Sequence, residues 1–183
     1  MQFIEQIRLR FHRSFLKKAM ATQKPQRGTM YLENATSVGI LFDGTEPAER
    51  EAVLNYADQL KKSGKKVKLL AFFDNKLKGE SFAFPAFNRQ QLDWAMRPTS
   101  REAMEFKDQA FDLLLNLTKN TVAPLDYLAA LSKAKYRVGP FTDQTFCYDL
   151  MIDLGGKPDL KAFLHQVIFY MKKLRPQHES AAI

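Results

Sequence analysis

From residue 37 to residue 154, short apolar runs alternate with segments whose apolar residues recur at helical spacing. The runs are "SVGILF" (37–42), "KKVKLLAFFD" (65–74), "AFDLLLNL" (110–117), "YRVGPF" (136–141) and "YDLMIDL" (148–154). None shows the strict apolar–polar alternation of a strand with one wet face, so each has to be covered on both sides. The intervening segments supply the cover. Residues 46–62 carry Val53, Tyr56, Ala57 and Leu60 one or two turns apart. Residues 101–109 read as a short helix, and 124–133 as a helix with Pro124 in its first turn, where the missing N–H costs nothing. Residues 158–174 place Leu160, Phe163, Leu164, Val167, Ile168, Met171 and Leu174 on one stripe. Doubly covered strands joined through helices form a mainly parallel sheet between two helical layers. The expected fold is a Rossmann-like three-layer α/β domain of about five strands over residues 28–183. The stretch 75–99 has no clear period. Its Phe82, Phe84, Phe87 and Trp94, beside Arg89 and Arg97, are expected to anchor a loop on the core, with base or sugar stacking as the alternative.

Ahead of this domain lies a segment of different character. Residues 1–27 hold seven Lys/Arg (Arg8, Arg10, Arg13, Lys17, Lys18, Lys24 and Arg27) against one acid, Glu5, and so carry +6 of the chain's net +8. As a helix, the segment gathers Phe3, Ile4, Ile7, Phe11 and Phe15 into one stripe. Arg10, Arg13 and Lys17 run beside it, and Leu9, Leu16 and Met20 lie on the far side. A basic amphipathic arm in front of a nearly neutral domain implies a polyanionic partner: RNA or the ribosome foremost, an anionic membrane surface as the alternative. Its apolar stripe is open to docking on the domain, on another protein or in lipid, or the helix packs on its own sheet with solvated charges. No motif for sequence-specific DNA reading is present, and the oligomeric state is not legible. The apolar runs fall far short of the ~20 residues a membrane span needs. With one cysteine, Cys147, no intrachain disulfide is possible, and a reducing, cytoplasmic setting is expected.

The first run ends in "FDGTE" (42–46), which raises the question of a catalytic carboxylate at Asp43. Haloacid dehalogenase phosphatases carry Asp-x-Asp-Gly-Thr here, with the first Asp as nucleophile. This chain has Leu41 there, and leucine cannot attack phosphorus. One glycine, Gly44, replaces the three of a dinucleotide loop, and no Gly-Lys-Ser/Thr triplet occurs. The spacing of histidines and cysteine holds no metal. No catalytic residue and no cofactor is therefore expected, and Asp43 or Thr45 is expected to cap the next helix. Taken together, the strand ends offer Asp43, Thr45, Asp74, Asn116, Thr118 and Asp153. In a parallel sheet they share one edge, where such folds bind ligands, so these six form the candidate ligand set.

The stretches "SVGILFDGTE", "KKVKLLAFFD", "LDWAMRPTS", "FDLLLNLT", "YLAALSKAKYRVGPF" and "YDLMIDLGG" resemble a family of short Bacteroidota proteins known as a domain of unknown function. That resemblance covers nearly the whole chain and implies a cytoplasmic protein. Separately, "FDLLLNL" followed by "PLDYLAALSKAKYRVGPF" is similar to a strand–helix–strand portion of heptosyltransferase-type glycosyltransferases. It implies a Rossmann-like half and a sugar-phosphate reading of the strand ends. Those enzymes place the sugar nucleotide between two such domains, and this chain has room for one. The leading expectation is a non-enzymatic α/β binding module attached to RNA or the ribosome through its arm. A glycosyltransferase-like or sugar-phosphate-binding protein and a peripheral membrane protein are the alternatives.

Overall fold

The computed structural model describes residues 2–21, 27–28, 30–74, 82–155 and 159–173. Helix α1 (Gln2–Ala21) is followed by β1 (Ser37–Asp43), α2 (Pro47–Lys62), β2 (Lys66–Phe73), β3 (Ala86–Asn88), α3 (Arg101–Asp108), β4 (Leu113–Leu117), α4 (Ala123–Leu131), β5 (Tyr136–Pro140), β6 (Leu150–Ile152) and α5 (Leu160–Lys173). The six strands form one sheet in the order β3-β2-β1-β4-β5-β6, and every pairing is parallel. This is the strand order of the doubly wound dinucleotide-binding architecture.

The sequence led us to expect about five strands, and the sixth is β3. It lies in the stretch without a clear period, because three residues are too few to show one. It is fixed by tertiary contact instead: Phe87 is buried against Phe72, with ring centroids 5.1 Å apart, and Ala86 pairs with Ala71. The last strand is shorter than its apolar run. Tyr148 precedes it and turns inward rather than joining the ladder.

The two helical layers follow from alternation along the central strands. Val38, Ile40 and Phe42 of β1 and Leu113, Leu115 and Leu117 of β4 face α2 and α5. Leu41 and Leu114 face α1, α3 and α4. On the latter face Gly39 leaves room for the Phe111 ring, which a Cβ there would approach to 2.7 Å. The stripe expected on the last helix is the one that packs: Leu160, Phe163, Leu164, Val167 and Met171 are buried. At the amino edge, Asp112 accepts bonds from the backbone and hydroxyls of Thr36 and Ser37 and from Lys135 Nζ at 2.8 Å. These donors hold its carboxyl far below the usual carboxylate range, the lysine most of all, and the network ties the start of β1 to β4 and β5.

Helix α1 lies against α4 by the shorter of its apolar sides. Leu16 is fully buried, Ala19 and Met20 pack beside it, and His12 is buried with Nδ1 2.8 Å from the carbonyl oxygen of Ala95. The longer stripe faces outward: Ile4, Phe11 and Phe15 are exposed. Sequence spacing shows both stripes, but not which of them finds a seat.

Candidate functional site

The strand order puts β1 beside β4 while their outgoing helices leave on opposite faces of the sheet. In open parallel sheets a crevice opens at the carboxyl ends of such a pair. Here it is a cleft of about 270 Å³ whose polar lining comes from Asp43, Asp74, Arg89 and Thr121 at the strand ends and from Glu5 and Arg8 on α1.

Local turn chemistry accounts for much of that lining. Asp43 Oδ1 accepts the Thr45 N–H at 2.9 Å, and Thr45 Oγ1 accepts the Asp74 N–H at 2.9 Å. Asp74 in turn takes both Nε and Nη2 of Arg89. The chain of bonds stitches the β1–α2 turn to the ends of β2 and β3. Neither Asp43 nor Thr45 caps α2, contrary to expectation: the cap position is Glu46, whose side chain makes no capping bond. Asp43 lies three residues ahead of the cap position, and its Asx turn closes on the Thr45 N–H, short of the helix.

The cleft is poorly made for phosphate. A Cβ on Gly44 would meet the Phe73 ring at 2.7 Å, so this glycine admits an aromatic ring rather than a pyrophosphate. Arg50 donates to the Gly44 carbonyl and lies over the Phe73 and Phe82 rings, filling the place a phosphate loop would use. The first turn of α2 holds Pro47 and Glu49. At α4, Pro124 has no N–H to offer, and the N–H groups of Leu125 and Asp126 both point to the Val122 carbonyl. Neither helix start presents the free N–H cluster that binds anions.

Asn116 and Thr118 lie beneath this surface rather than on it. Both are buried, and Asn116 Nδ2 donates to Tyr148 Oη and, at 3.4 Å, to Asp126 Oδ1. Tyr148 Oη donates to the same Asp126 oxygen. Burial pushes the Asp126 carboxyl up to about 7 against the pull of these two donors. It also raises the Tyr148 phenol well above its ordinary value, aided by the neighbouring carboxylate. Gly139 makes room for the tyrosine ring, which an added Cβ would overlap. Sequence reasoning missed Asp126 and Tyr148; the available signal was one acid inside the otherwise apolar "PLDYLAAL" of α4. Cys147, next door, is buried and its thiol is pushed up to about 12, chiefly by desolvation.

Asp153 sits apart, in a separate hollow of about 230 Å³ with Lys119, Asn120 and Phe141, where its Oδ1 accepts the Gly155 N–H at 2.9 Å. Of the six strand-end residues, Asp43 and Asp74 line the cleft with Thr45 bonded between them, Asn116 and Thr118 are core, and Asp153 lies in that second hollow. Among the described residues no group of three His, Cys, Asp or Glu could hold a metal ion.

The cations of the N-terminal segment divide in the same way. Arg8 Nε donates to the Trp94 carbonyl at 2.8 Å. Arg27 donates to the carbonyls of Ser132, at 3.3 Å, and Ala134, and burial lowers its guanidinium to about 10, with Arg137 adding to the shift. Lys24 lies outside the described residues. Arg10, Arg13, Lys17 and Lys18 are exposed, and no side-chain hydrogen bond or ion pair joins them to any described residue. Beside them is an aromatic ledge: Trp94 is 56% exposed, Phe11 48% and Phe15 40%. Phe11 and Trp94 meet edge to face, 5.2 Å between centroids, and the Arg97 guanidinium lies 4.6 Å from the Phe15 centroid. Trp94 thus projects outward, whereas Phe82, Phe84 and Phe87 of the same stretch pack on the core. No described helix is long and apolar enough to cross a membrane.

No curated protein and no solved structure matches this chain. A family model does, over residues 8–174, from the first turns of α1 to the end of α5 and so including every strand; the chain belongs to that family, described as a family of unknown function (DUF6913).

Proposed function

We propose that the protein is a non-enzymatic α/β binding module that attaches to RNA, bare or within a ribosome, through the exposed basic edge of α1. One observation carries this reading: Arg10, Arg13, Lys17 and Lys18 stand in solvent on one helix with no carboxylate among the described residues paired to them. Some exposed cations elsewhere have acidic partners, as in Lys61–Asp58 and Arg101–Glu105, and others, such as Lys62, Lys66 and Lys68, have none among the described residues; on α1 four unpaired cations fall on one helix. An unpaired row of like charge costs self-repulsion that a polyanion relieves. The test is salt dependence. With about four phosphate contacts, log K for a single strand falls against log salt with a slope near −3, from about −0.7 per phosphate. Replacing Arg10, Arg13 and Lys17 together by Gln flattens that slope by about 2 units. A slope unchanged in the triple variant refutes the reading.

The cleft between β1 and β4 supports a second reading, a small-ligand protein of the sugar-binding kind. Its acids outnumber its bases, and its helix starts are blocked, so a hydroxyl-rich ligand suits it better than a phosphate. Saturable chemical-shift changes at Asp43 and Thr121 on adding sugars, lost in Asp43→Asn, would favour it.

A further inference from the structure

We infer that the RNA taken by α1 is single-stranded, and that Trp94 and Phe11 form a platform on which an unpaired base stacks. This rests on the RNA reading above and adds what kind of RNA fits. Two rows run side by side along the outer half of α1. Arg10, Arg13 and Lys17, at i, i+3 and i+7, span about 10 Å of helix. Phe11 and Phe15 form the other row, extended sideways by Trp94. A single strand has phosphates on one side and free bases on the other, so laid along the helix it can satisfy both rows at once. A duplex presents phosphate to the cations but keeps its bases stacked inside, leaving the aromatic ledge in water.

The loop that carries Trp94 is also held in place from within, and the exposed face of its ring is the stacking surface, with Phe11 edge-on beside it. Its loop is closed by the Leu92–Pro98 bridge, by the Asp93 N–H to the Arg97 carbonyl and by the Arg97 N–H to Asp93 Oδ1, both 2.9 Å. The Asp93 carboxylate is held by the Arg97 guanidinium at 2.6 Å, so it does not oppose a phosphate nearby. The Arg97 guanidinium over Phe15 and Arg8 Nε on the Trp94 carbonyl set charge within the ledge. Insertion into hydrocarbon would have to desolvate both. Stacking leaves them at the rim, beside phosphate. The same surface therefore fits a nucleobase better than a lipid interior.

Trp94 is the chain's one tryptophan, so its emission reports directly on the ledge. The experiment titrates the full chain with a 12-nucleotide oligouridylate, with an RNA duplex of equal length, and with vesicles containing phosphatidylserine. The expected result is quenching of Trp94 by the single strand, with affinity at least tenfold above that for the duplex. Trp94→Ala, read by anisotropy of a labelled oligonucleotide, should weaken single-strand binding about tenfold and leave duplex binding unchanged. Salt-dependent binding of equal strength to both RNAs, without quenching, overturns the inference while leaving the RNA reading in place. Binding to neither RNA at low salt overturns both. A blue shift on vesicles in the absence of RNA binding assigns the surface to lipid and also overturns both.

Discussion

Asp126 is the residue whose environment is most at odds with its chemistry. It is fully buried, with Tyr148 and Asn116 as its hydrogen-bond partners and Oδ2 satisfied by none. Its folded pKa, about 7, lies above the ordinary carboxylate value, so the folded state holds a proton that the unfolded chain has already lost. Its contribution to stability is therefore full below about pH 4, falls as pH rises toward 7, and is flat above. The drop is of order a few kcal/mol, at about 1.4 kcal/mol per pH unit. Asp126→Asn keeps the acceptor for Tyr148 and removes the titration. Urea midpoints measured from pH 4 to pH 8 should decline in the wild type over this window more than in the variant. His12 pulls the other way. Burial lowers its pKa, so its contribution is present above about 6.5 and is lost as pH falls. In the wild type the two slopes partly cancel, and His12→Gln should make the decline with rising pH steeper.

Among the elements, α1 is the one whose role depends on which face is seated. Leu16→Ala leaves a cavity against α4 and should cost about 3 kcal/mol, read by chemical denaturation. Phe15→Ala, one residue away but exposed, should stay within about 1 kcal/mol. The pair Ile7→Ala with Phe11→Ala should cost more than Phe15→Ala but less than Leu16→Ala, since Phe11 is exposed and touches the domain at the edge of Trp94, and Ile7 is half-buried. Equal destabilisation by Leu16→Ala and Phe15→Ala would mean that the helix docks differently. The same comparison shows how far the sequence could be read. Helix α5 was legible because the long stripe from Leu160 to Met171 is the side that packs, even though Phe169 and Tyr170 remain exposed beside it. Helix α1 has apolar residues on two sides, and choosing between them depends on the His12–Ala95 bond and on the surface of α4, which a local pattern does not contain. Strand β3 was missed because a three-residue edge strand is set by Phe72 and Phe87 rather than by its own period. At the strand ends, turn chemistry was legible in kind, yet Asn116 and Thr118 look the same in sequence whether they face solvent or core. Only the pairing of β4 decides that.

For the whole molecule, α1 belongs to the helical layer that covers one face of the sheet, so removing it strips cover from α4 as well as charge. Deleting residues 1–21 should therefore lower the melting temperature by several degrees at the same time as it abolishes RNA binding. The triple Gln replacement of Arg10, Arg13 and Lys17 should weaken binding and flatten its salt dependence while leaving the melting temperature unchanged. A deletion that leaves the melting temperature unchanged would show that the helix is not part of the folded unit.

The strand order has a further consequence in time. Gly39 pairs with Lys68 on one side and with Leu114 on the other, so the central strand waits for about seventy-five more residues before its second neighbour exists. The seat for Leu16 comes later still, because α4 follows β4. On a growing chain α1 is made before β1 and docks after β4. Throughout that interval both its apolar sides and its row of cations are uncovered, close to the polyanion on which every chain is made. Anything that holds α1 during synthesis competes with its own domain for Leu16, and the domain gains that contact only after α4, which ends at Leu131, has emerged.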